Sequence, residues 1–113
     1  MARERPDAAD RFRILDVQGR VVDGATVPDL SADDLLEMYH DLKLTRRIDE
    51  VALNRSRRGQ IGVYPTVKGN EGAQVGSAHA LRSDDWVFPS HRELGVGVAR
   101  GVDPADLMLY WTG

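Results

Sequence analysis

Three side chains that can donate hydrogen bonds to an anion follow one another at Ser90, His91 and Arg92. They come directly after the apolar run Trp-Val-Phe-Pro at 86–89, which itself follows an acidic turn. A hydroxyl, an imidazole and a guanidinium at the end of a strand-like segment, beside a helix start, suit a phosphate or diphosphate group. The spacing therefore predicts an anion-binding loop at 90–92.

Each of these residues also has a purely structural interpretation, which the sequence leaves open. Arg92 could form a surface ion pair with Glu93 or Asp85, because either carboxylate is close along the chain. Ser90 could serve only as the N-cap of the next helix. His91 could be an ordinary polar residue of a turn.

A second element lies upstream, within residues 58–78. Gly-Val-Tyr at 62–64 forms a turn motif, and Gly-Asn-Glu-Gly at 69–72 precedes a run of small residues. Taken in order with Arg-Glu at 92–93, these motifs resemble the α subunit of the decarboxylating first component of 2-oxo-acid dehydrogenase complexes, of the pyruvate or branched-chain type. The resemblance covers residues 30–113 and rests on the order and spacing of the three motifs, since each is weak alone.

The resemblance implies an α/β thiamine-diphosphate-binding fold, of which this portion is mostly α-helical. It implies thiamine diphosphate and Mg²⁺ as cofactors, with Arg92, His91 and Ser90 on the diphosphate and Tyr64 near the substrate. The family usually has tyrosine where His91 stands and an aromatic residue where Val63 stands. The Gly-Asp-Gly and Asn that hold the metal in the family are absent, so we expect the metal ligands beyond residue 113 and no catalytic residue among these.

The implied activity is decarboxylation of a 2-oxo acid and transfer of the acyl unit to a lipoyl group. The implied partners are a β subunit, in a heterotetramer of two α and two β subunits, and the lipoyl-bearing acyltransferase of the complex. Pyruvate is favoured because the Gly-x-Tyr turn resembles bacterial pyruvate dehydrogenases. The stretch 72–78 resembles the branched-chain enzymes as well. We expect the portion to be inactive by itself.

Two other classes of function compete with this interpretation. The chain could be a non-catalytic helical interaction module that binds a partner subunit without cofactor. It could also bind a nucleotide phosphate through its glycines, but these fit neither the dinucleotide pattern nor a phosphate-binding loop with Lys and Ser or Thr. Magnesium-dependent binding of thiamine diphosphate separates the interaction module from the enzyme subunit.

The composition limits the class of protein to which the chain can belong. A chain of 113 residues with 42% hydrophobic and 29% charged residues is ordinary for one globular domain or part of one. The net charge of −3 argues against a nucleic-acid binder, because there is no basic excess to neutralise phosphates. No cysteine is present. The charged N-terminus lacks a signal-peptide pattern and no apolar run approaches a membrane span, so we expect no membrane contact and a cytoplasmic location.

Local signals divide the chain at residue 30. Residues 1–29 are predicted to form a polar tail and a short β-hairpin with Gly19 in its turn. Residues 30–113 are assigned to an incomplete N-terminal part of the thiamine-diphosphate-binding domain. There Ser31 predicts the N-cap of a helix of about 27 residues, roughly 40 Å long, which stops at Gly59.

Two further helices are predicted in the second half of the chain. Asn70 is expected to cap a helix from Glu71 to about Arg82, whose small residues indicate tight packing either inside the chain or against a neighbouring subunit. Asp103 followed by Pro104 predicts the start of a last helix with a dense apolar surface.

Overall fold

The computed structural model describes residues 12–113, in which four helices form and no strand does. The chain divides into two compact units, with the division between Leu30 and Ser31. The polar tail predicted for residues 1–10 lies outside the described residues. The assignment of 1–29 and 30–113 to parts of a larger enzyme stays a prediction. The mostly helical character expected for this portion is confirmed.

The predicted N-terminal β-hairpin is wrong within the described residues. Leu15 and Val21 form one isolated antiparallel bridge, without a strand on either side. The turn between them does form: Gly19 has a φ of +78°, and the Asp16 carboxylate accepts the N–H groups of Gln18 and Arg20 at 2.8 and 2.9 Å. These local bonds satisfy the loop, but a two-stranded ribbon without a packed face is too weak to extend.

Helix α1 spans Ala32–Arg57, as the sequence predicts. Ser31 is its N-cap in a capping box with Asp34, each side chain bonding the other residue's backbone N–H. At the other end Gly59 adopts a φ of +67°, and the N–H of Gln60 reaches back to the carbonyl of Arg55 at 2.9 Å. This is the Schellman geometry that glycine allows after a helix.

The core lies against the middle of α1. The buried residues of this helix are spaced three or four apart and so share one face; they are Asp41, Thr45, Ile48, Asp49 and Ala52. Side chains of α2, α3 and the preceding loop cover that face, and the buried apolar ones are Tyr64, Val67, Val75, Ala78 and Val98.

Helix α2 spans Glu71–His79 and ends three residues before the predicted Arg82. The early stop has a local cause, because the Asp85 carboxylate accepts the Arg82 N–H at 2.8 Å and folds the chain into a turn. Asn70 is the N-cap residue, but its side chain makes no capping bond. Instead the Glu71 carboxylate accepts the N–H of Gly69 at 2.8 Å.

Two short helices complete the unit that begins at Ser31. Helix α3 spans Leu94–Ala99 and helix α4 spans Pro104–Leu109. The predicted start of α4 is confirmed: Asp103 caps it by accepting the N–H of Ala105 at 2.7 Å, with Pro104 at the first helical position. None of the four helices described is long and apolar enough to cross a membrane.

Candidate functional site

The predicted anion-binding loop joins α2 to α3. The apolar run at 86–89 is irregular rather than a strand, and Ser90, His91 and Arg92 are all exposed. The three donors therefore stand on the surface just before the first turn of α3.

Glu93 organises this loop from inside. Its carboxylate accepts the backbone N–H groups of Ser90 and Arg92 at 2.8 and 3.1 Å, and also the Ser90 hydroxyl at 3.1 Å. Burial pushes the pKa of Glu93 up, but the hydrogen bonds from Arg92 and Ser90 outweigh it and hold the pKa below its ordinary value. Glu93, not Ser90, is the N-cap residue of α3. The Ser90 hydroxyl already donates its proton to Glu93. Ser90 is therefore a weaker donor to a ligand than His91 or Arg92.

The Arg92 guanidinium remains available. Within the described part of the chain it makes no hydrogen bond or ion pair, and the surface pair with Glu93 or Asp85 does not form. Asp85 instead lies 3.4 Å from Arg82. An exposed guanidinium with its fork of donors unused is well suited to a phosphate oxygen.

An apolar groove of about 540 Å³ opens beside the loop, between the loop, α3 and α4. Ser90 and His91 line it together with Trp86, Tyr110 and Trp111, whereas Arg92 lies outside its wall. The groove can accept an apolar group next to a polar edge, and His91 is the donor at that edge.

Arg100 supports the wall of this groove. Its guanidinium donates to the backbone carbonyls of Arg82, Ser83 and Asp85 at 2.9 to 3.0 Å. Three bonds from one side chain fix the segment that leads into the apolar run and the anion-binding loop.

Tyr64 does not line the groove. It is 6% exposed, its hydroxyl donates to Asp49 at 2.8 Å, and its ring packs edge-on against Trp111 with centroids 5.3 Å apart. Burial, with the Asp49 carboxylate beside it, raises the pKa of Tyr64 far above its ordinary value. These contacts make Tyr64 a packed aromatic with a satisfied hydroxyl, and its nearness to a substrate stays a prediction.

Two residues, Asp49 and Gln74, make contacts at the site that the sequence does not predict. Asp49 accepts the Tyr64 hydroxyl, the Thr66 hydroxyl and the Val67 N–H, and Gln74 bonds the backbone of the anion-binding loop. The partners of Asp49 and of Gln74 lie 15 or more positions away along the chain. No local pattern marks such residues, so only the folded chain reveals them.

No cluster of three metal-binding side chains occurs among residues 12–113. His79 lies with Nε2 2.9 Å from the Asp41 carboxylate, and His40 lies 3.3 Å from the same carboxylate. The contact between His79 and Asp41 joins α2 to α1, whereas the exposed His40 lies beside Asp41 on α1 itself.

Comparison with known proteins places the chain in a family. Residues 39–113 match the family model described as the dehydrogenase E1 component. The chain belongs to the dehydrogenase E1 component family. The match includes the anion-binding loop, Tyr64 and Gln74, so the geometry above describes a member of the E1 family.

Relatives of this E1-family chain carry two kinds of name. It is 40% identical over 85 residues to the 3-methyl-2-oxobutanoate dehydrogenase subunit alpha of Mycobacterium tuberculosis, covering 75% of this chain and 23% of that protein. It is 33% identical over 104 residues to the pyruvate dehydrogenase E1 component subunit alpha of Staphylococcus epidermidis, covering 92% of this chain and 28% of that protein. The Staphylococcus aureus subunit of the same name is 31% identical over the same length. No solved structure matches the chain significantly.

The chain therefore spans about a quarter of the length of the curated relatives it matches. Relatives named for pyruvate and for 3-methyl-2-oxobutanoate both match, so the preference for pyruvate stays a prediction.

Proposed function

We propose that these residues belong to the α subunit of the decarboxylating first component of a 2-oxo-acid dehydrogenase complex. The family match and the names of the relatives support this proposal. Pyruvate is the substrate we propose first, and a branched-chain 2-oxo acid second. The activity is proposed for the complete subunit, and the 113 residues alone are expected to be inactive.

The observation that carries the proposal is the exposed Arg92 guanidinium, which has no partner among residues 12–113, on a loop whose backbone is held in place. Its charge and planar fork match the oxygens of a diphosphate, and His91 offers a second donor next to it. Ser90 would contribute only if its hydroxyl left Glu93. The donor set therefore fits the diphosphate of thiamine diphosphate, with Arg92 as its principal contact.

Thiamine diphosphate, bound with Mg²⁺, would supply the electron sink that decarboxylation of a 2-oxo acid requires. The described residues would bind and orient its diphosphate end. We propose that the ligands for the magnesium ion lie beyond residue 113.

The partners we propose follow from the same assignment. A β subunit would complete a heterotetramer of two α and two β subunits, and a lipoyl-bearing acyltransferase would receive the acyl group. A cytoplasmic location is part of the proposal. The exposed apolar side chains of the groove, Trp86 and Tyr110 among them, offer surface that a partner could cover.

Arg92→Ala tests the assignment in the full-length subunit assembled with its β partner. Loss of a charge-assisted hydrogen bond, about 1.5–3 kcal/mol, should weaken thiamine diphosphate binding roughly 10- to 100-fold in a calorimetric titration with magnesium present. Arg92→Lys keeps the charge but loses the planar fork of donors. Its affinity for thiamine diphosphate should therefore lie between those of wild type and Arg92→Ala. Arg13→Ala is the matched control, because Arg13 is also exposed and makes no side-chain bond in the described chain.

Unchanged cofactor affinity in Arg92→Ala would remove this residue from the diphosphate site. Failure of the assembled wild-type protein to bind thiamine diphosphate at all would favour the second candidate, a helical module that binds a partner without cofactor. The exposed apolar groove is the observation that supports this candidate.

A further inference from the structure

The start of α3 lacks a cap from its own residues. The first N–H groups of an α-helix have no partner inside the helix. Glu93 occupies the N-cap position but makes no side-chain capping bond, because its carboxylate turns back to Ser90 and Arg92. The carbonyl of Glu93 accepts the N–H groups of Val96 and Gly97. The N–H of Gly95 therefore needs an acceptor from elsewhere.

Gln74, on α2, supplies that acceptor. Its Oε1 accepts the Gly95 N–H at 2.7 Å, and its Nε2 donates to the carbonyl of Arg92 at 2.6 Å. The orientation of the amide is fixed by its partners, since a backbone N–H can only donate and a carbonyl can only accept. One side chain thus bonds the backbone on both sides of the step from loop to helix.

The close approach of the two helices makes this contact specific. A Cβ at position 95 would lie 3.0 Å from both Cβ and Oε1 of Gln74 and 3.3 Å from Cγ2 of Thr45. Only glycine leaves the room in which the amide reaches the backbone of α3. Gly95 is buried, so the bond from its N–H to Gln74 is partly shielded from water, whereas the bond from Gln74 to the Arg92 carbonyl is exposed.

We infer that Gln74 is the positioning residue of the anion-binding loop. By holding the Arg92 carbonyl and the first turn of α3 at once, it fixes the backbone from which the Arg92 side chain projects. Gln74 acts through Arg92 and needs no contact with the bound ligand. The inference rests on the proposed function, because it gives Arg92 a diphosphate to bind.

A double-mutant cycle on thiamine diphosphate affinity tests the inference in the assembled, full-length subunit. Gln74→Met keeps the volume of the side chain but removes both hydrogen bonds. We expect it to weaken cofactor binding about 3- to 10-fold when Arg92 is present. In the Arg92→Ala background the same change should have little effect, since the group that Gln74 positions is gone.

Gln74→Glu separates positioning from general stability. It keeps an acceptor for the Gly95 N–H but places a second acceptor against the Arg92 carbonyl. We expect an unfolding temperature closer to wild type than that of Gln74→Met, together with weakened binding that depends on Arg92. This variant keeps the test available even if Gln74→Met fails to fold. Gln60→Met is the control, because the exposed Gln60 side chain makes no hydrogen bond in the described chain.

The outcomes distinguish the inference from the proposed function. Suppose that Arg92→Ala weakens cofactor binding, but that each Gln74 variant weakens it by the same factor with and without Arg92. Gln74 is then not a positioning residue, while the proposed function still holds. If Arg92→Ala itself leaves the affinity unchanged, Arg92 is not a diphosphate contact and the inference about Gln74 is overturned. Failure of the assembled wild-type protein to bind thiamine diphosphate overturns the proposed function itself. A coupling between positions 74 and 92 supports both.

Discussion

A buried carboxylate on α1 holds the loop that leads to α2. Asp49 is almost fully buried and accepts the Tyr64 hydroxyl, the Thr66 hydroxyl and the Val67 N–H at 2.7 to 2.8 Å. A buried carboxylate is costly unless its oxygens are bonded, and here three donors satisfy them. The loop geometry that surrounds Tyr64 is therefore set by one residue 15 positions earlier.

Glu71 makes the stability of the same region depend on pH. Hydrogen bonding to Arg46 lowers the pKa of Glu71 below its ordinary value of 4.5; burial opposes this, and the Gly69 N–H adds to the lowering. A pKa lowered by folding gives stability that is present above about pH 4.5 and is lost as the pH falls through the folded value. Acid should therefore release the contact between α1 and the start of α2.

Glu71→Gln measures this contribution. We expect the free energy of unfolding to fall by about 1–3 kcal/mol near neutral pH, because Arg46 loses its charged partner. The difference from wild type should shrink as the pH falls from about 4.5 through the lower pKa of folded Glu71, because the wild-type carboxylate then takes up a proton. The free energy of unfolding is measured with denaturant across this pH range. Glu50→Gln is the control, because the Glu50 side chain is half-exposed. A difference that stays constant with pH would contradict the assignment.

At the residue scale, the sequence identified the groups with distinctive chemistry but not their supports. Arg92 and His91 stood out because adjacent donors are visible in a linear sequence. Gln74 and Asp49 did not, since a glutamine or aspartate on a helix face has no pattern that shows which distant backbone it will meet. The diphosphate role of Ser90, His91 and Arg92 remains a prediction.

At the scale of elements, helix ends were predictable where the cause is local. Ser31, Gly59 and Asp103 each act on a backbone group within a few residues, so their sequence patterns are sufficient. The end of α2 was missed because Asp85 competes for the Arg82 N–H. The hairpin prediction was wrong because two strands extend only when one face of the pair is packed, and the sequence of the turn does not indicate whether such packing exists.

Two glycine substitutions test the backbone of these helices directly. An added Cβ meets nothing within 4 Å at either Gly59 or Gly72. Neither substitution therefore changes the packing, and the two differ only in their effect on the backbone. Gly59→Ala should destabilise the chain by about 1–2 kcal/mol, because alanine is strained at a φ of +67°. Gly72→Ala should stabilise it by at most about 0.5–1 kcal/mol, because alanine loses less backbone entropy than glycine on entering the first turn of α2. Thermal unfolding of both variants gives the signs, and equal signs would contradict the helix-end geometry.

At the scale of the whole molecule, large apolar side chains remain in water. Trp86 and Phe88 are 85% and 87% exposed and stack on each other with centroids 6.3 Å apart. Leu36, Tyr39 and Tyr110 are exposed as well. Apolar surface of this extent is typical of a region that a partner surface covers.

Tryptophan fluorescence tests whether such a cover exists. In the 113-residue chain carrying Trp111→Phe, we expect Trp86 to emit at long wavelength and to be readily quenched by acrylamide, since its ring is in water. In the proposed full-length subunit, assembled with the proposed β subunit, quenching at position 86 should fall several-fold. Trp86→Phe, which reports the half-buried Trp111, should change less on assembly. Equal quenching of Trp86 in both states would show that this surface stays uncovered.

The fit between Gln74 and Gly95 also limits how this chain can change over evolution. A side chain at position 95 would lie too close to Cβ and Oε1 of Gln74, whereas a shorter residue at position 74 would leave the Gly95 N–H without its acceptor. Each single substitution is therefore costly, and a tolerated exchange would have to alter both positions together. We therefore expect positions 74 and 95, which lie 21 apart in sequence, to change together rather than singly.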